Sequence, residues 1–239
     1  MNKCLLQDQS LLIGSRESID CLAQKDSARI LAISDSHANA NALSFVLQKF
    51  GMESDLLLFC GDGVSDIVYL LQKASEDQYF FACIPPVIAF VKGNNDSSSY
   101  TFMNKAAFAK NSGSPLVKIA VPLQNELTVC GHKILLVHGH AHSLYSGVSY
   151  LVQEAENCGA EILFFGHTHI PACGCVSCNS GKSSLLLLNP GSCSIPRACQ
   201  PASFAVLELK KDRALADYTF YEIRHPEPRP FVPPPIYMD

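Results

Sequence analysis

Six short apolar runs in this chain each stop at a cluster of polar residues: Ile30 to Ser34, Leu56 to Cys60, Val87 to Lys92, Lys133 to Val137, Ile162 to Phe165 and Leu185 to Leu188. A short, uninterrupted apolar run bounded by turn-forming residues is the pattern of a strand covered on both faces. Between the first of these runs, Asn39 to Phe50, with Gly51 as its C-cap, and Asp66 to Ala74 carry helical patterning. Strands alternating with helices predict a layered α/β fold. Loops at the carboxyl ends of strands converge in such folds, so the polar clusters are expected to meet at one place.

The clusters are made of metal-ligand residues. Asp35-Ser36-His37 places a carboxylate and an imidazole one residue apart, close enough to reach one ion. Gly61-Asp62 presents a carboxylate that can bridge two ions, behind a glycine that lets the backbone turn sharply. Gly93-Asn94-Asn95-Asp96 offers a hard amide oxygen that adds no charge. His138-Gly139-His140 and Gly166-His167-Thr168-His169 supply paired imidazoles. Taken singly, each motif has an ordinary reading as a chance dipeptide, an Asn-rich turn or a buried structural histidine. Six of the eight histidines, however, lie in or beside these motifs, and the set predicts a centre for two metal ions.

In this order the motifs resemble those of the calcineurin-like metallophosphoesterases, and more narrowly the YfcE-type bacterial phosphodiesterase branch. The narrower likeness is carried by Val91-Lys92-Gly93-Asn94-Asn95-Asp96 and by Asn189-Pro190-Gly191-Ser192-Cys193-Ser194-Ile195-Pro196-Arg197 followed by Pro201-Ala202-Ser203-Phe204, and the resemblance spans roughly residues 29 to 210. It implies a four-layer αββα sandwich, a single catalytic domain with both ions at its strand ends. By the same resemblance Asp35, His37 and His169 hold one ion, Asn94, His138 and His167 the other, and Asp62 bridges them. The implied cofactor is a pair of divalent ions, manganese first, with Fe, Zn, Ni, Co and Mg as alternatives. The implied reaction is phosphodiester hydrolysis by a hydroxide shared between the ions. A phosphomonoesterase, a cyclic-nucleotide phosphodiesterase and a catalytically weak metal-binding scaffold are the alternatives.

Around that centre Asn94 and His140 are the candidate catalytic groups, and Asn95 and Arg197 the candidate substrate contacts. His140 can protonate a leaving group or orient a ligand, and Arg197 can reach a phosphoryl oxygen or form a surface ion pair. Asn95 stands where many relatives carry His or Cys, and an amide cannot serve as a general acid.

Length and charge bound the rest. The 239 residues suffice for one well-cored domain, read as residues 28–222, with an N-terminal extension over 1–27 and a proline-rich tail over 223–239. A net charge of −4 and the lack of a Lys/Arg run disfavour nucleic acid beyond nucleotides or short oligonucleotides; a small phosphoester is the expected partner. No apolar stretch approaches the roughly 20 residues of a membrane span, and Leu11-Leu12-Ile13 is too short for a signal peptide, so the expected compartment is the cytoplasm. Eleven scattered cysteines fit reduced thiols better than a disulfide framework.

Some segments carry less. Cys173-x-Cys175-x-x-Cys178 resembles half of a zinc or redox site but has no second half, and reads as incidental thiols on a hairpin. Residues 97 to 127, with Asn111-Ser112-Gly113-Ser114-Pro115, read as a partly loop-like insertion near the site. The prolines after His225 predict an extended tail that continues neither sheet nor helix, docked or disordered, with a partner groove or a homo-oligomer interface as its alternative uses.

Overall fold

Parallel strands cannot be joined by a tight turn, so each pair of them needs a crossover that covers one face of the sheet. The computed structural model describes residues 6–103, 116–177, 184–213 and 216–236. In chain order its first half contains β1 (Ile13–Gly14), α1 (Arg16–Leu22), β2 (Ser27–Ile33), α2 (Ala40–Phe50), β3 (Leu56–Phe59), α3 (Val64–Glu76), α4 (Gln78–Ala82), β4 (Val87–Phe90), β5 (Ser99–Met103) and β6 (Leu116–Ala120). The second half adds β7 (Gln124–Val129), β8 (His132–Val137), α5 (Ser149–Cys158), β9 (Ile162–Phe164), β10 (Ala172–Ser177), β11 (Ser184–Asn189), β12 (Ser203–Lys210), β13 (Asp217–Glu222) and β14 (Arg229–Phe231). One sheet has the order β1-β4-β3-β2-β12-β13-β14 and a second the order β10-β11-β9-β8-β7, while β5 and β6 form a separate hairpin. The strands β2, β3 and β4 run parallel, as do β8, β9 and β11.

The period-two alternation of side chains divides each sheet between two cores. Leu31, Ile33, Leu57, Phe59, Ile88 and Phe90 face outward beneath Leu43, Val46 and Leu47 of α2 and Ile67, Leu70 and Leu71 of α3. Their neighbours Ile30, Ala32, Leu56, Leu58, Val87 and Ala89 face inward and meet Ile134, Leu136, Ile162, Phe164, Leu186 and Leu188 of the second sheet. On that sheet's far side Leu135, Val137, Leu163, Phe165 and Leu187 pack under Leu151, Val152 and Ala155 of α5. The result is the four-layer αββα sandwich, with each fully buried Leu, Ile or Phe contributing about 1.5–3 kcal/mol of burial free energy.

Several local expectations change. Gly51 is the C-cap of α2, as expected, but with a right-handed φ of −69° instead of the left-handed one usual for glycine caps. A β-carbon there would lie 1.9 Å from the carbonyl oxygen of Cys83, and close backbone approach explains the glycine instead. Within 97–127 the described residues hold β5, β6 and the start of β7, while Asn111 to Pro115 lie outside the described residues. The N-terminal extension adds β1 to the free edge of β4 and buries Leu12, Ile13 and Leu22. The proline-rich tail does continue a sheet. Arg229–Phe231 pairs with β13, where an edge position tolerates Pro230. Beyond it, the Cys173 N–H donates to the Pro234 carbonyl and the Ile236 N–H to the Cys173 carbonyl, which fastens the tail to β10 of the other sheet.

A second tie between sheets has a pH signature. His132 Nδ1 lies 2.8 Å from a Glu161 carboxylate oxygen and its Nε2 lies 3.0 Å from the Lys210 carbonyl of β12. Both partners are acceptors, so only the imidazolium satisfies both. Burial works against that charge, but the Glu161 and Lys210 bonds outweigh it and raise the histidine pKa. A raised folded-state pKa gives stability that is present below the unfolded value of 6.5 and lost as pH climbs through the folded one. The stability advantage of the native protein over Glu161→Gln, measured by urea unfolding, is therefore expected to be larger at about pH 6 than at about pH 9.

Candidate metal centre

The first sheet delivers one half of the site from its strand ends. Asp35 and His37 follow β2, Asp62 follows β3 and Asn94 follows β4. The second sheet delivers the other half, with His138 and His140 after β8 and His167 and His169 after β9. Backbone bonds zip these loops together: Asp35 N–H to Gly61 O, His37 N–H to Asp62 O and Gly166 N–H to His138 O, each 3.0–3.1 Å. They hold a backbone that is locally strained. Asp35, His37, Asp62, His167 and His169 all adopt positive φ, between 46° and 67°. Left-handed non-glycine residues cost on the order of 1–3 kcal/mol each and persist only where the surroundings over-determine them, as at binding sites.

Donor atoms converge at two neighbouring points. His37 Nε2 and His169 Nε2 are 3.1 Å apart, and Asp35 Oδ1 lies 3.2 Å from the latter and 3.7 Å from the former. Ligands around one transition-metal ion at about 2.1 Å sit roughly 3.0–3.4 Å from one another, so the triangle has the dimensions of a coordination shell. His138 Nε2 lies 3.3 Å from Asn94 Oδ1 and 3.5 Å from Asp62 Oδ2, and that same carboxylate oxygen is 3.8 Å from His37 Nε2. Asp62 thus borders both groups. Asp35-His37-His169 and Asp35-Asp62-His138 each have ligand atoms within 4.8 Å of one another. The His167 ring centroid is 5.2 Å from that of His138, and its N–H donates to Asp35 Oδ2.

Two observations fit this donor set to cations. Asp35 is fully buried, and among the described residues its Oδ1 faces only the imidazoles of His169 and His37, so a buried carboxylate oxygen placed between two ligand nitrogens suits a positive charge. His138 and His169 turn their Nδ1 atoms to the backbone carbonyls of Cys60 and Ile195, at 2.7 and 2.8 Å, which fixes the tautomer that leaves Nε2 free to coordinate. Hydrogen bonding to Asp35 raises the His37 pKa, while for His138 the burial that disfavours charge is outweighed by Asp62. Burial pushes the carboxyl pKa values of Asp35 and Asp62 up, but bonds with His169 and His37 at the first and with His138 and Asn95 at the second bring both below the ordinary range. Cations and protons would therefore compete for these atoms.

The outer residues separate by geometry. Asn95 is exposed, and its amide donates to Asp62 Oδ2 at 2.7 Å while its N–H donates to Oδ1 at 2.8 Å. The side chain is committed to orienting Asp62. His140 is half-buried, its ring 5.3 Å from His138 and 6.3 Å from His167, with a buried Nδ1 that has no partner. Burial, then the neighbouring His138, lowers its pKa. Arg197 is exposed; its N–H donates to the His169 carbonyl, and its guanidinium has no ion pair among the described residues. The thiols stay outside the chemistry. Burial raises the pKa of Cys60 and Cys193, Cys173 and Cys175 are free, and Cys178 lies outside the described residues.

Sequence reasoning passed over Asp96. Its carboxylate accepts four backbone N–H groups, from Asp62 (2.7 Å), Gly63 (3.1 Å), Val64 (2.8 Å) and Gly93 (2.9 Å). It binds the Gly61-Asp62 turn, the first turn of α3 and the Gly93-Asn94 turn into one unit. The available signal was an aspartate three residues after a glycine, a common turn pattern that gives no sign of partners more than thirty positions away. Gly93 belongs to the same unit, since a β-carbon there would sit 2.0 Å from Asp62 Oδ1.

The calcineurin-like phosphoesterase superfamily domain model matches residues 29–212. Probable metallophosphoesterase YsnB of Bacillus subtilis is 31% identical over 185 residues, which cover 77% of this chain and 86% of that protein. Among solved structures, a predicted phosphoesterase from Streptococcus pneumoniae superposes with a TM-score of 0.57 at 22% identity, covering 87% of this chain and 98% of that one. Vps29 of Entamoeba histolytica, solved in complex with Zn²⁺, superposes with a TM-score of 0.56 at 18% identity, covering 85% and 97%. At those identities the structural matches speak for the fold.

Proposed function

Because the chain belongs to the calcineurin-like phosphoesterase superfamily, we propose that it hydrolyses small phosphodiesters with two divalent metal ions held by Asp35, His37, Asp62, Asn94, His138, His167 and His169. The observation that carries this reading is the convergence of Asp35 Oδ1 with the Nε2 atoms of His37 and His169, beside a second group that shares Asp62. All seven ligand positions keep coordinating side chains, which favours an enzyme over a scaffold. When bound, the ions would supply an activated water near neutral pH and neutralise the phosphoryl oxygens.

The protein's own groups do the rest. Asn94 turns Oδ1 toward His138, which leaves its Nδ2 as a donor for a phosphoryl oxygen. His140, whose ring lies beside His138 and His167, is the candidate to protonate a departing oxygen, because Asn95 is tied to Asp62. Arg197, exposed and without an ion pair among the described residues, would meet the substrate's anionic part. Manganese is the preferred metal, with zinc the alternative suggested by the Entamoeba protein. We place the reaction in the cytoplasm; among the described residues no helix is long and apolar enough to cross a membrane.

Hydrolysis of bis(p-nitrophenyl) phosphate is the direct test. Chelator-treated protein is expected to lose activity and to regain it on adding Mn²⁺, with turnover above that on p-nitrophenyl phosphate. Metal-independent turnover, or a monoester preference, would overturn the respective part of the reading.

A further inference from the structure

Lys92 is a cation whose backbone is fixed two residues before Asn94 and whose ammonium has no acidic partner among the described residues. Its N–H donates to the Pro122 carbonyl at 2.7 Å, and the next residue, Gly93, is bound to Asp96 at 2.9 Å. The backbone at this point is therefore locked to the turn that carries Asn94. The residue is half-buried, and among the described residues its ammonium reaches the Ser98 hydroxyl alone, at 3.3 Å. Elsewhere Lys25, Arg29, Lys49 and Lys133 each pair with a carboxylate, but among the described residues Lys92 has no acidic partner. The acids facing this side, Asp35 and Asp62, are already engaged by histidines. His142 makes a poorer anion contact, because burial disfavours its charged form and lowers its pKa.

A free cation beside a site built for two divalent ions adds electrostatic repulsion that only an incoming anion relieves. The scissile phosphoryl group would be held by the ions themselves, so Lys92 is left for a different charge on the same molecule. We propose that Lys92 binds a second anionic group of the substrate, a phosphate or carboxylate next to the scissile phosphodiester, and so selects substrates that carry one. The inference rests on the phosphodiesterase reading above.

A matched pair of chromogenic diesters tests it: thymidine 5′-(p-nitrophenyl phosphate) and the same compound with a 3′-phosphate, each assayed with Mn²⁺-loaded native protein and Lys92→Met. For the native protein the 3′-phosphate is expected to lower KM about tenfold, as one charge-assisted contact would. Lys92→Met is expected to remove that advantage with kcat unchanged, and to leave both constants unchanged for the parent compound. Lys92→Arg should restore it. Equal KM values for the two compounds in the native protein, or a Lys92→Met effect of the same size on both, would overturn the inference while the diesterase reading stands. Absence of turnover on either compound would remove that reading and this one with it.

Discussion

Asp62→Ala is expected to lower kcat for the diester by about 10³-fold or more while leaving the protein folded. Its Oδ2 borders both donor groups, 3.5 Å from His138 Nε2 and 3.8 Å from His37 Nε2. Both oxygens also anchor Asn95. Removal thus unsettles two ion positions and a neighbouring loop together. The side chain is only 2% exposed, yet in the ion-free protein its loss should cost little, because His138 can shed its proton and become a neutral buried ring. Metal content by mass spectrometry is expected to fall below two ions per chain, with the ion-free melting temperature within about 5 °C of the native protein's. Retention of full turnover or of two tightly held ions would show that Asp62 is no bridge.

Asp96→Ala is expected to have the largest effect on stability, a loss of about 3–5 kcal/mol in urea unfolding. Four N–H groups would be left without their acceptor in a residue environment only 8% exposed, and α3 would lose an anionic cap. Asp96→Asn separates charge from hydrogen bonding. Oδ2 serves Asp62 and Gly93 while Oδ1 serves Gly63 and Val64, so an amide can satisfy one pair but must aim its NH₂ at the other. The amide variant should therefore be nearly as unstable as the alanine one, and both should bind metal more weakly because the Asp62 and Asn94 turns move apart. An asparagine variant of native stability would show that these bonds are easily replaced.

Much of this was legible in the sequence because both the core and the ligands are local patterns. The runs at Ile30, Leu56, Val87, Ile134 and Ile162 are apolar at every position, which is what strands sandwiched between layers require. The ligands sit at the ends of those runs, where chain order alone brings them together. The supporting parts were hidden because they depend on distant partners. Asp96 looks like a turn residue until its acceptor role for Asp62 and Val64 is seen, and Asn95 looks free until its amide is found on Asp62. The positive φ of His167 and His169 leaves no mark on residue type. Proline content misled at Arg229–Phe231, because an edge strand needs hydrogen bonds on one side alone, and the β5–β6 hairpin was missed where its strands alternate only weakly.

The tail's crossing from β13 to β10 bears on all of these numbers. Four of the seven proposed ligands hang from one sheet and three from the other, so the width of the space between the sheets is a working dimension of the centre. A shift of one sheet by a single ångström would spoil a shell built on separations of 3.1–3.8 Å. Sheets meeting through Leu, Ile and Val have little to prevent such sliding, since apolar contacts carry no direction. Hydrogen bonds do, and the Pro234–Ile236 segment, knotted to Cys173 on one side and joined through Phe231 to Phe220 on the other, acts as a caliper held at one setting.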